Sequence, residues 1–111
     1  MATLIEILNE AQTEAHQSAS DFIAQHGEGF PCGFAWLSIY KFEGKKIRGN
    51  SKLGKALKAI GIEQNYERTF QIWNPSGLST QSIDAKEAGA RAAANVFQKH
   101  GFEAYAGSRL D

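Results

Sequence analysis

The sequence predicts an α+β domain. Three observations carry that reading: a long N-terminal run with helical spacing, an apolar segment from Phe34 to Phe42 with the character of a strand, and an Ala-rich helical run ahead of a closing strand. The chain has 111 residues, of which 42% are hydrophobic and 22% charged. That is the length and composition of one globular domain with its own core. We expect a single unit over 1–111, with a helix over 1–27 and an α/β core over 33–111.

Thr3 followed by Glu6 is a capping box. Leu4, Leu8, Ala11, Ala15, Ala19, Phe22 and Ile23 then recur at helical spacing, and Gly27 is a natural stop. A helix from Leu4 to His26 would be about 35 Å long. It is expected to lie across a sheet, and its small-residue stripe also suits pairing with a second copy. Phe34 to Phe42 places Phe34, Trp36, Ser38, Tyr40 and Phe42 on one face and Ala35, Leu37 and Ile39 on the other. Both faces are largely apolar, so a central strand covered on both sides is expected. Glu43 to Ser51 reads as a basic loop, and Ser51 as the cap of a short helix over Lys52 to Ile60, ended by Gly61. Arg68 to Trp73 reads as a strand, Asn74-Pro75-Ser76-Gly77 as a turn, and Leu78 to Ser82 as a short returning strand. Asp84 and Glu87 give a second capping signal for a helix running to Lys99. The inner ridge of that helix would be Ala85, Ala88, Gly89, Ala92, Ala93 and Val96. Gly101 ends it, Phe102 to Ala106 is the last strand, and Gly107 to Asp111 a polar tail. From Gly33 onward the order β-α-β-(β)-α-β is that of a ferredoxin-like sandwich, here with a long added N-terminal helix.

Formal net charge is zero, but the charge is uneven. The first Lys or Arg is Lys41, after Glu6, Glu10, Glu14, Asp21 and Glu28. Between Gly44 and Ile62 stand Lys45, Lys46, Arg48, Lys52, Lys55 and Lys58, with no acid among them. Such a limb can pair with the acidic helix, within one molecule or between copies, or can meet an anion.

The motifs favour binding over catalysis. Gly49-Asn50-Ser51-Lys52-Leu53-Gly54-Lys55 fits G-x-x-x-x-G-K, but Ala56 replaces the Ser or Thr that would hold magnesium, and no buried strand precedes it. Hydrolysis is not expected. A phosphate held by the helix N-terminus and Lys55 remains open. Gly33 to Ile39 echoes the base-stacking strand of RNA-recognition motifs, with Cys32 in place of a cation and Ile39 in place of an aromatic. The preferred expectation is that Phe34, Trp36 and Tyr40 are core aromatics under the long helix. Cys32 is the lone cysteine, and His16, His26 and His100 have no metal-ligand spacing. His26 and His100 precede glycines, where they finish helices against the dipole. No carboxylate pair stands out for acid–base work. No enzyme activity, metal or cofactor is expected. Met1 to Asn9 lacks a basic region ahead of an apolar run, and no segment could span a bilayer, so a cytoplasmic protein without membrane contact is expected.

The chain resembles a group of small uncharacterised proteins encoded by bacteriophages. The resemblance rests on Cys32-Gly33-Phe34-Ala35-Trp36, Ile72-Trp73-Asn74-Pro75, Gln81 to Ala88, and the ending Ala104 to Asp111. It brings no catalytic residue. What it implies is context: a phage accessory protein, working in the host cytoplasm, that blocks a host defence factor or sequesters a small signalling molecule. Gly101-Phe102-Glu103-Ala104-Tyr105 is also similar to the ending of some peptidoglycan-binding domains, which work outside the cytoplasm and do not suit this context.

The sequence thus points to a non-enzymatic binding protein for an anionic small molecule or a host protein. The candidate ligand-binding residues are Lys45, Lys46, Arg48, Asn50, Ser51, Lys52, Lys55 and Lys58, with Tyr105, Ser108 and Arg109 lining the same pocket or a second one. The alternative is a nucleic-acid-binding protein using the basic 44–62 segment. Homo-oligomerisation through the N-terminal helix is a further expectation.

Overall fold

A computed structural model describes residues 3–27, 32–65, 67–79 and 82–110. In chain order the elements are α1 (Leu4–His26), β1 (Gly33–Phe42), β2 (Lys45–Lys46), α2 (Lys52–Ala59), β3 (Glu63–Gln64), β4 (Phe70–Trp73), α3 (Ile83–Lys99) and β5 (Phe102–Leu110). The protein is α+β, with a long N-terminal helix and a five-stranded antiparallel sheet.

The sequence signals at α1 take effect as expected. The Thr3 hydroxyl accepts from the Glu6 amide, and the Glu6 carboxylate accepts from the Thr3 amide at 2.9 Å. The Thr3 amide is the main reason the Glu6 carboxyl sits below its ordinary pKa. Gly27, at φ 75°, closes the helix by donating its amide to Ile23 O. The buried stripe Ile7, Leu8, Ala11, Ala15 and Ala19 packs along α3. Small side chains bring the two helices close enough that a Cβ on Gly89 would stand 3.0 Å from the carbonyl oxygen of Ala15.

β1 is the centre of the sheet. One edge pairs with β5 along its whole length, from Gly33↔Leu110 to Phe42↔Phe102. The other edge pairs with β4 at Trp36↔Trp73 to Ile39↔Phe70 and, further on, with β2 at Lys41↔Lys46. β3 lies outside β4. A bulge interrupts the β1–β5 register: Ile39 faces Ala104 and Lys41 faces Glu103, so Tyr40 is an extra residue. It turns both Tyr40 and Lys41 outward and returns Phe42 to the core, where it meets Phe102 at 4.6 Å.

The helices cover one face of this sheet. Leu37, Ile39, Leu57, Ile62, Phe70 and Phe97 are fully enclosed there. Each contributes about 1.5–3 kcal/mol by leaving water. This corrects the expectation for β1. Its Ala35, Leu37 and Ile39 face lies under the helices, whereas Phe34, Trp36 and Tyr40 point to the opposite, open face. Under the Ala-rich helices the aliphatic side of β1 packs with Phe70 and Phe97, and the rings of Phe34, Trp36 and Tyr40 stay outside.

Other boundaries also move. The 43–51 segment is not all loop: Glu43 and Gly44, both at positive φ, make a two-residue hairpin turn into β2. The strand expected from Arg68 begins at Phe70, and Arg68 itself sits in a turn at φ 65°. No strand forms at 78–79, residues 80–81 lie outside the described residues, and Ser82 makes only an isolated bridge to Cys32. Ser82, rather than Asp84, caps α3 by accepting from the Ala85 amide, and Asp84 lies in the first turn, where it complements the helix dipole. The supposed tail from Gly107 continues β5 to Leu110.

Candidate functional site

The β1–β2 hairpin, the start of α2 and the β3–β4 turn meet around a cavity of about 750 Å³. Its construction begins at Arg48. The Arg48 carbonyl accepts from both the hydroxyl and the amide of Ser51, at 2.6 and 3.1 Å. The Ser51 hydroxyl in turn accepts from the Gly54 amide, capping α2. A Cβ on Gly54 would lie 2.1 Å from Arg48 O, so glycine lets the helix sit directly on the loop. These bonds consume several of the donors that the G-x-x-x-x-G-K pattern would have offered a phosphate. The loop therefore contributes chiefly side chains.

The opposite wall is set by Asn65. Its side-chain oxygen accepts from the amides of Glu67 and Thr69, shaping the turn that holds Arg68. Gln64 donates to the Arg68 carbonyl at 3.0 Å, and Lys58 donates to the Gly49 carbonyl at 3.2 Å. The lining is Lys46, Ile47, Arg48, Gly49, Asn50, Lys55, Lys58, Gln64 and Arg68. Five cationic side chains thus share one wall system with no carboxylate among the described residues.

The ion pairs among the described residues lie elsewhere: Lys41–Glu103, Arg91–Glu87, and Lys99 and His100 with Glu10. The acidic helix therefore pairs with the end of α3, not with the basic limb. The positive charge at the cavity is not cancelled by a side-chain partner among the described residues.

Of the residues singled out by sequence, Lys46, Arg48, Asn50, Lys55 and Lys58 come together here. Lys45 and Ser51 line a smaller adjoining hollow of about 210 Å³, and Lys52 lines neither. Tyr105, Ser108 and Arg109 stand on β5, beyond β1, and do not line the cavity. Ser108 faces the helices and donates to Glu87 at 2.7 Å. Gln64 and Arg68 were missed. The signal for Arg68 was Asn65, whose turn chemistry aims it inward.

The open sheet face is a second surface. Trp73, Tyr105, Tyr40 and Phe34 are 55, 53, 44 and 39% exposed, which makes it an aromatic surface in contact with water. Trp36 and Trp73 lie 5.0 Å apart between ring centres, and Tyr40 and Tyr105 5.8 Å. Lys86 and Arg109 stand over Phe34 at 5.5 and 5.6 Å. The Tyr105 hydroxyl donates to Glu103 at 3.3 Å. The charge of that carboxylate, and then the bond itself, raise the phenol above its ordinary pKa.

The remaining polar candidates have structural employment. His16 donates from Nδ1 to Ser76 O at 3.1 Å, and His100 caps α3 while meeting Glu10. Cys32 is an exposed free thiol. Among the described residues no cluster of His, Cys, Asp and Glu could hold a metal ion, and no helix is long and apolar enough to cross a membrane. No known family matches the chain, and neither curated proteins nor solved structures offer a significant relative.

Proposed function

We propose that the protein is a non-enzymatic binding protein that captures an anionic, nucleotide-type ligand in the basic cavity. One observation carries the reading: Lys46, Arg48, Lys55, Lys58 and Arg68 line a single cavity whose wall includes no acid among the described residues. Small-ligand sites span roughly 300–1,000 Å³, and this cavity is of that size. An anion there relieves the mutual repulsion of five cations, and Asn50 and Gln64 add neutral hydrogen-bonding groups for a sugar or base. In the phage setting suggested by the sequence, such capture would withdraw a signalling nucleotide from the host. As for architecture, a ferredoxin-like sandwich is supported by the succession β1-α2-β3-β4-α3-β5 and the antiparallel order β5-β1-β4-β3.

Thermal-shift measurements against nucleoside triphosphates, cyclic dinucleotides and ADP-ribose test the reading, with uncharged nucleosides as controls. A ligand at 100 times its Kd stabilises the folded state by about 2.7 kcal/mol. We expect stabilisation by at least one charged ligand, and its loss in the double variant Lys58→Ala/Arg68→Ala. Stabilisation by none of them overturns the proposal.

A further inference from the structure

We infer that the open sheet face is a stacking platform for single-stranded nucleic acid, whose phosphates continue into the basic cavity. The inference rests on the anion-binding reading above and names its ligand class.

Four features favour this occupant. First, the rings are exposed and arranged in neighbouring pairs, Trp36 with Trp73 and Tyr40 with Tyr105. Every base has a face that can stack on such rings. Second, the platform has a built floor. Gly107 lies opposite Trp36 on β5, and a Cβ there would stand 2.5 Å from the indole nitrogen. The Trp36 ring therefore lies down across β5 instead of standing up from it.

Third, the residues between the rings are polar. Ser38 and Gln71 share the face and bond to each other at 3.4 Å, and no Leu, Ile, Val or Met points outward among the β1, β4 and β5 residues of this face. A groove for an amphipathic helix would carry such aliphatic side chains. Fourth, cations stand at both ends. Arg109 and Lys86 flank Phe34. At the other end the Ile47 amide donates to Tyr40 O at 3.5 Å and Lys46 pairs with Lys41, so the cavity begins one strand away from Tyr40.

From Phe34 to Tyr40 the strand spans roughly 20 Å, room for two or three splayed bases, as on other sheet platforms. A duplex keeps its bases stacked inside and cannot present them to these rings.

The test uses fluorescently labelled single-stranded oligo(dT) and oligo(rU) of about ten nucleotides, with a duplex of the same length for comparison. The chain has two tryptophans, Trp36 and Trp73, both on the platform, so intrinsic fluorescence reports on it alone. We expect quenching on binding and a preference for single strands. We expect affinity about tenfold weaker in Trp73→Ala and in Tyr105→Ala, both more than half exposed and so tolerant of truncation. Lys58→Ala/Arg68→Ala should lower the salt slope by about 2.

Equal binding of duplex and single strand overturns the inference. So does oligonucleotide binding without quenching that ignores Trp73→Ala, which leaves only the cavity as an anion site. Self-association by light scattering that Trp73→Ala abolishes, with no oligonucleotide bound, assigns the face to a second copy and also overturns it. Failure of triphosphates and oligonucleotides together removes both readings, whereas binding of triphosphates alone removes only this one.

Discussion

Gly54 has no room for a methyl group, because the carbonyl of Arg48 occupies the place a Cβ would take. Helix propensity favours Ala over Gly by about 1 kcal/mol, yet here the obstacle is backbone and cannot rotate away. Gly54→Ala should therefore lose stability, by about 1–3 kcal/mol, and should push Arg48 out of the cavity wall. Chemical denaturation reads the first effect and nucleotide thermal shift the second. The sequence shows this glycine as part of a phosphate-loop pattern. The pattern marks a tight helix start and leaves its amides open to a ligand; one of them, from Gly54, is taken by the Ser51 hydroxyl. Arg68 escaped the reading for the converse reason. Its place depends on a bond between Asn65 and Thr69, and nothing in residues 44–62 foretells a cation arriving from the β3–β4 turn.

Between α1 and α3 the same contest can be read at the scale of the helix pair. A Cβ on Gly89 would approach Ser76 Cβ at 2.8 Å and Ala15 O at 3.0 Å. Gly89→Ala should destabilise by about 1–3 kcal/mol despite the better helix former, and the loss should show as a lower midpoint in urea. If the midpoint rises, the helices are not held at this distance. The long helices were the most legible elements, because capping residues and period both mark them. The strands were less so. Period two told which residues of β1 share a face as far as Tyr40, but placed Phe42 on the wrong one, because the bulge turns it to the core, and it did not tell which face would be covered, since both were apolar. β2 and β3 are two residues each, too short for any period to register. The end of β5 looked like a tail because Gly107, Ser108 and Arg109 are polar or small. They are in the sheet because β1 supplies an unbroken partner edge.

Across the whole molecule, one electrostatic link ties the first helix to the far end of α3. Glu10 meets both Lys99 and His100. Those bonds, Lys99 first, hold the Glu10 carboxyl below its ordinary value of 4.5. A depressed carboxylate stabilises the fold above its unfolded pKa, and the contribution disappears as pH falls through the lower folded value. Thermal stability of the native protein should therefore drop faster below about pH 4.5 than that of Glu10→Gln, and the two curves should converge in acid. Curves that stay parallel across that window would show that this link has no role in holding α1. The charge asymmetry of the sequence thus resolves into two separate uses, a clasp at one end and an uncancelled wall at the other. The single extra residue at Tyr40 has a reach of the same order. Pair the same residues without the bulge, and strand alternation would send a lysine toward the oily side of the sheet and a phenylalanine into water. The inserted position absorbs one step of the alternation, so a chain shortened at Tyr40 would keep Lys41 opposite Glu103 and Phe42 opposite Phe102, whereas one lengthened there would turn both over.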